Sequence, residues 1–168
     1  MTISLNTEIL QIGNPILREI ATEVTEIDNP KIQTLIDELI LTTKEAHGVG
    51  IAAPQIGKSY RIIIVASHPN FRYPDAPFMS PIAMINPRIV SHSEEIVIAT
   101  EGCLSVKEKR GCVPRYRDIV VEYITRDGYC QRQEYSNFVA RIIQHELDHL
   151  NGILFVDYLQ DKLTIIDS

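Results

Sequence analysis

Cysteine is scarce in this sequence: the 168 residues contain only Cys103, Cys112 and Cys130. A sparse, odd-numbered set in a chain of this length is no disulfide framework, and it points to a reducing compartment where a thiolate stays free to react or to bind metal. Basic charge is short as well. With 16 Lys and Arg against 22 Asp and Glu, the net charge is -6, which argues against a broad surface for nucleic acid or anionic membrane and leaves room only for a local basic patch. No apolar run approaches the roughly 20 residues that span a bilayer. The opening "MTISLNTEIL" has no basic segment followed by an apolar run, so it reads as neither a signal nor a transit peptide. Repeats, low-complexity tracts and Gly/Ser linkers are also missing, and the expectation is one soluble intracellular domain over residues 1–168.

What is present is the composition of a globular protein, 45% hydrophobic and 23% charged. A chain this long buries roughly two-thirds of its unfolded surface, so a metal would serve chemistry rather than hold up the fold. After an irregular arm containing "GNPIL", Asp28 and Pro30 stand at N-cap and first-turn positions before "KIQTLIDELILTTKEA". Ile32, Leu35, Ile36, Leu39 and Ile40 recur there with helical spacing, and Gly48 follows at the expected stop. "YRIIIVA" reads as a buried strand, "HPNFRYPDAPFMSP" as a surface loop, and the locally basic "KEKRGCVPRYR" as a solvated loop. "IAMINPRIV" and "EEIVIATEG" read as strands, and "DIVVEYIT" with "CQRQEYS" as a hairpin on the two-residue signal Asp127-Gly128. A late helix, "NFVARIIQHELDHL", starts from Ser136 as N-cap and stops at Asn151-Gly152. The expected fold is α+β, with antiparallel β-sheets packed around a central buried helix and an N-terminal amphipathic helix.

That late helix has Val139, Ile142, Ile143, Leu147 and Leu150 on more than one side, the mark of a buried helix. His145 and His149 lie one turn apart on one face, where two imidazoles can converge on an ion, with Glu146 beside them. The bland alternative, two hydrogen-bonded core histidines and a buried ion pair, is expensive in such a helix. "HELDHLNGILF" follows a zinc-protease frame as far as Phe155, where one protease class has a third histidine. A phenyl ring cannot ligate. Met1, Met79 and Met84 all precede the helix, no glutamate follows Glu146, and Asp157 in "LFVDYL" reads as an exposed acid. His47, His68 and His92 are isolated. Cys103, in "TEGCLSV", is the better candidate, because Gly102 lets the backbone turn closely and a thiolate binds divalent ions. A small buried hydrophobe is the alternative for Cys103, and it is the reading given to Cys112 and Cys130. Two imidazoles, one thiolate and an open position suit zinc or iron(II) and metal-assisted hydrolysis.

"GVGIAAPQIGKS" comes within one residue, Ala52, of a phosphate-binding loop. Such a loop needs a strand before it and a helix after it; here the order is reversed, which removes nucleotide binding. Gly48, Gly50, Ala52 and Ala53 then mark either backbone kept bare for another chain or a tightly packed turn, with Gln55 as a polar group able to point into a site.

"GVGIAAPQ", "EGCLS" and "QHELDHLNG", in this order and at these separations, resemble peptide deformylase, and the similarity extends over nearly the whole chain. The resemblance implies a metal held by Cys103, His145 and His149, iron(II) in many members and replaceable by zinc, nickel or cobalt. It implies Glu146 as general base and then acid, with the Gln55 amide and the Leu104 N–H stabilising an oxyanion. The implied substrate is the N-formyl-methionyl end of nascent polypeptides, and the products are formate and a free amine. Substrate contacts implied in the same way fall on Gly48, Val49, Gly50 and Ile51 as an edge for an added strand, on Glu101, Gly102 and Arg110, and on Ile142 in the methionine pocket. Arg115 would brace Glu101. Thr100 and Lys107 stand where many members have proline, which leaves the ligands intact. The short tail "YLQDKLTIIDS" is not the long basic helix by which some members dock on the ribosome, so the expectation is transient ribosome proximity at most. Bacterial-type cytoplasm is the implied location, or an organelle if a transit peptide was removed. A metallopeptidase cutting internal bonds would share the histidines and Glu146; a non-catalytic metal module would need a fourth protein ligand, and none is obvious.

Overall fold

The computed structural model describes residues 7–159 and the backbone of residues 164–165. It is a mixed α+β structure, with two antiparallel sheets and two α-helices among the described residues. The elements are α1 (Pro30–Glu45), β1 (Gly50–Ala52), β2 (Ile62–Val65), β3 (Ile82–His92), β4 (Ile96–Cys103), β5 (Val106–Tyr116), β6 (Asp118–Ile124), β7 (Cys130–Ser136), α2 (Asn137–Leu150) and β8 (Thr164–Ile165). One sheet runs β1-β2-β3-β6-β7, the other β4-β5-β8.

The continuous apolar run of β2 has a direct cause. Side chains alternate across a strand, and both faces of β2 are covered: Ile63 and Val65 join a core with Ile142, Ile143 and Leu147 of α2, while Ile62 and Ile64 join one with Ile32, Leu35, Ile36 and Leu39 of α1. The two helices thus sit on opposite faces of the larger sheet. In α2 every residue from Ala140 to Leu147 is buried, as are His149 and Leu150. Its link to the smaller sheet is polar: the Gln144 amide accepts from the Tyr116 N–H and donates to the Tyr116 carbonyl, both at 2.9 Å.

Several details differ from the sequence expectation. Asn29, not Asp28, caps α1, its side chain accepting the Lys31 N–H at 2.9 Å. The residue that turns left-handed after α1 is His47 (φ 54), not Gly48, and the Gly48 N–H closes the turn on the Thr43 carbonyl at 2.9 Å. "KEKRGCVPRYR" is no solvated loop but most of β5, paired with β4 from Ile96↔Tyr116 to Cys103↔Val106. Its inward positions are Gly111, Val113 and Arg115, so an arginine and a glycine hid the alternation. Cys112 and Cys130 are exposed rather than buried. The β6–β7 turn is closed by Thr125 N–H to the Tyr129 carbonyl at 2.8 Å, which makes it three residues long rather than two, with Gly128 at φ 90. "GNPIL" forms a short 3-10 turn at Pro15–Arg18, capped by the Asn14 side chain. The tail expectation rests partly on residues 160–163 and 166–168, which lie outside the described residues; within it, β8 pairs with β5 at Lys109↔Ile165.

Candidate metal centre and active-site cleft

Cys103 is the last residue of β4, and Leu104 and Ser105 form the tight connection to β5. That hairpin tip is pinned by the N-terminal arm, where the Gln11 side chain donates to the Leu104 carbonyl at 3.0 Å and the Ile12 N–H donates to the Ser105 carbonyl at 2.8 Å. The tip points at α2. Cys103, His145 and His149 each offer one ligand atom, and those atoms lie within 4.8 Å of one another. Cys103 Sγ is 3.3 Å from His149 Nε2. His145 uses Nδ1 on Glu101 at 2.9 Å, which leaves its Nε2 for the cluster.

Glu101 is the hub behind the cluster. Its carboxylate accepts both branches of Arg115 at 2.9 Å, Arg141 Nη1 at 2.6 Å and His145 Nδ1. Burial alone would raise this carboxyl, but the bonds from Arg115 and His145 hold it well below the usual carboxylate range. At His145 burial favours the neutral ring, yet the bonds to Cys103 and Glu101 outweigh it and raise the imidazole well above its ordinary value. At His149 burial and the neighbouring His145 push the other way, well below. One site therefore calls for positive charge that two adjacent rings cannot share. A divalent cation held there would supply that charge and leave both rings neutral. His149 Nδ1 and Glu146 Oε2 are buried without a hydrogen-bond partner, and the soft and borderline donor set fits zinc or iron(II).

Glu146 lines the cleft beside the cluster, and burial pushes its carboxyl up to about 7. Gln55 is buried; its Oε1 accepts the Ala52 N–H at 2.8 Å, and its Nε2 donates to Ser105 Oγ at 3.0 Å and lies 3.7 Å from Cys103 Sγ. The two glycines are bare because this chain's own side chains pack on them. A Cβ on Gly48 would stand 2.9 Å from Leu104 Cδ1, and one on Gly50 would stand 2.8 Å from Ile142 Cγ2 and 3.0 Å from Glu146 Oε1. Among the described residues β1 pairs only with β2, so its other edge borders the cleft.

Gly48, Val49, Gly50, Gln55, Gly102, Cys103, Leu104, Ile142, His145 and Glu146 all line one cleft. Two expected substrate contacts, Ile51 and Arg110, fall elsewhere, and a third, Glu101, lines this cleft with its carboxylate occupied. Ile51 is fully buried in the core against α1, so only its backbone remains available. Both Glu101 oxygens are taken by arginines and His145, although the residue lines the cleft. Arg110 lines an adjoining groove, its guanidinium 5.0 Å from the Tyr73 ring centroid. Phe155, absent as a ligand, is buried with its ring centroid 6.2 Å from that of His145. Asp157 pairs with Arg18 at 2.6 Å on the surface. "AAPQIGKS" is a 3-10 turn at Ala53–Ile56 followed by β2, with no helix to receive a phosphate.

The polypeptide deformylase family model matches residues 6–164. "Peptide deformylase 2" of Nostoc sp. is 57% identical over 158 residues, covering 94% of this chain and 88% of that one. The chain belongs to the polypeptide deformylase family. A class I type b peptide deformylase from Acinetobacter baumannii, solved with Met-Ala-Ser bound, superposes with a TM-score of 0.87 at 47% identity, covering 89% of this chain and 96% of its own. A probable peptide deformylase from Synechococcus phage S-SSM7 does so at 0.81 and 37% identity, covering 90% of this chain and 99% of its own. Deformylases are metal-dependent enzymes, and the Cys103–His145–His149 group is a possible site for the ion. Nothing in these likenesses supports a peptidase cutting internal bonds.

Sequence reading of this deformylase-family chain missed Arg141, Ser105 and the rim formed by Asn70, Arg72 and Tyr73. Arg141 carried a signal, a cation within a helix otherwise apolar around it; the rim carried none, because a proline-rich loop gives no clue to what it covers.

Proposed function

We propose that the protein hydrolyses the N-formyl group from the formyl-methionine that begins newly made polypeptides, with residues 1–168 acting as one catalytic domain around the buried helix α2. One observation carries the reading: a buried Glu146 shares a cleft with Cys103, His145 and Gln55, beside an open β1 edge. Cys103, His145 and His149 would hold a divalent ion, iron(II) with zinc, nickel or cobalt as substitutes. When bound, such an ion polarises a carbonyl oxygen and acidifies water. Glu146 takes the proton from the attacking water and later returns it to the leaving amine, a double duty suited to a carboxyl that burial raises to about 7. Gln55 Nε2 and the Leu104 N–H donate to the oxygen on which negative charge develops. Gly48 to Ile51 receive the peptide backbone as an added strand, and Gly102 closes the opposite wall. The methionine side chain rests against Ile142 and Phe138, and Arg110 meets later residues from the adjoining groove. The Met-Ala-Ser seen in the Acinetobacter relative has the free methionyl end that this reaction would release. Such substrates place the protein in bacterial-type cytoplasm or an organelle, in transient proximity to the ribosome.

The test is formate release from a formyl-Met tripeptide by anaerobically purified protein, with metal analysis of the same sample and acetylated and unmodified peptides as controls. Formate from the formylated peptide alone is expected; no formate with any metal overturns the proposal.

A further inference from the structure

Arg141 is a buried arginine four residues before His145 on α2, and it does three things at once. Its Nη1 donates to Glu101 Oε2 at 2.6 Å and to the Val113 carbonyl of β5 at 2.9 Å, and its Nη2 donates to the Val97 carbonyl of β4 at 2.6 Å. The side chain is 9% exposed. Arg115 already grips both Glu101 oxygens. Arg115 is itself shared with Asp148 at 2.6 Å. An arginine on an otherwise apolar stretch is costly to bury; two carboxylates sharing Arg115 account for the charge of Arg141, but not for its two bonds to strand carbonyls. What Arg141 adds is geometric. Arg115 also joins Glu101 to α2, through Asp148; of the two arginines, Arg141 is the one that also holds main-chain carbonyls of both β4 and β5 from α2.

We infer that Arg141 is a positioning residue: it fixes the Glu101 carboxylate relative to β4 and α2, so that Glu101 holds His145 by Nδ1 and keeps Nε2 aimed at Cys103 Sγ. The two ends of the metal centre come from different layers, Cys103 from β4 and the histidines from α2. Arg141, together with Arg115, is thus a strut between those layers. A planar fork with several donors in fixed directions can meet a carboxylate and two carbonyls at once; a lysine ammonium on a flexible stem cannot hold the same three points. Partners behind a ligating histidine typically alter metal affinity or activity by about 10–100-fold when removed, and Arg141 stands one bond further back.

This inference rests on the reading of Cys103, His145 and His149 as the metal centre, and the experiment separates the two. Cobalt(II) is loaded into the purified full-length chain, and its affinity is measured by competition with a chelator alongside the visible absorption spectrum. The protein compared includes R141M, R141K, E101Q and the double variant R141M/E101Q. Expected are a loss of cobalt affinity of about tenfold in R141M, a changed cobalt spectrum, and a smaller loss in R141K. In the E101Q background R141M should cause no further loss, because its effect passes through Glu101. If R141M does not fold, the R141K comparison, alone and combined with E101Q, makes the same decision. A variant that only loses thermal stability while cobalt affinity and spectrum stay unchanged overturns the inference, as does a loss that adds fully to that of E101Q. A wild-type chain that binds no cobalt at all overturns the metal-centre reading instead.

Discussion

Glu146→Ala deletes the proposed proton carrier and leaves Cys103, His145 and His149 in place. The variant is expected to keep its metal and lose about 10²–10⁴-fold in turnover, the range for a positioned acid–base group, checked by metal analysis and formate release. Cys103→Ala removes a proposed ligand and should lose the metal itself. A second residue-scale prediction concerns Asp157, whose carboxyl the Arg18 bond holds below its ordinary value. A depressed carboxyl stabilises the fold above the unfolded-state pKa and loses that contribution as pH falls through the folded value. Because the pair is 46% and 38% exposed, Asp157→Asn should cost under about 1 kcal/mol at neutral pH and nothing in strong acid, as read from thermal melts at both. At this scale the sequence was informative about candidate ligands, since the pairing of His145 and His149 on one face follows from helical spacing alone. It marked Arg141 only as a cation in an apolar stretch and was silent on its partners, which lie on β4 and β5.

Elements meet through a few specific contacts, and these can be broken one at a time. Gly50→Ala places a Cβ 2.8 Å from Ile142 Cγ2, 3.0 Å from Glu146 Oε1 and 3.1 Å from the Ile64 carbonyl. The strand cannot retreat from its own partner β2, so α2 must give. Activity should fall by at least tenfold, in line with the sensitivity of catalysis to about 1 Å of misplacement, while circular dichroism stays native. Gln144→Leu leaves the Tyr116 N–H and carbonyl without their amide partner. A cost of about 1–3 kcal/mol is expected, measured as a lower midpoint in urea with an unchanged slope. The strand β5 shows why some elements were hard to read: its inward positions alternate correctly, but Arg115 and Gly111 occupy two of them for the sake of Glu101 and Leu159.

For the molecule as a whole, a ligand that binds the folded chain and not the unfolded one must stabilise it. Chelator should therefore abolish turnover and lower the melting temperature, and restoring zinc or cobalt should recover both; a melting curve indifferent to metal would contradict the proposed centre. No helix among the described residues is long and apolar enough to cross a membrane. The sequence by itself determined the two helices, the β-rich middle and the paired histidines, because local periodicity and short spacing are properties of the chain before it folds. It also excluded Phe155 as a ligand, without saying what the phenyl ring does. Only the tertiary structure decided that Cys103 stands within reach of His149, that Gly48 and Gly50 are bare to admit Leu104, Ile142 and Glu146, and that Glu101 is consumed by Arg115, Arg141 and His145. Apart from Glu101 with Arg115, 14 positions apart, those contacts join residues 40 or more positions apart, 46 between Cys103 and His149, and nothing local in the chain encodes which distant partner a buried charge or a bare glycine will meet.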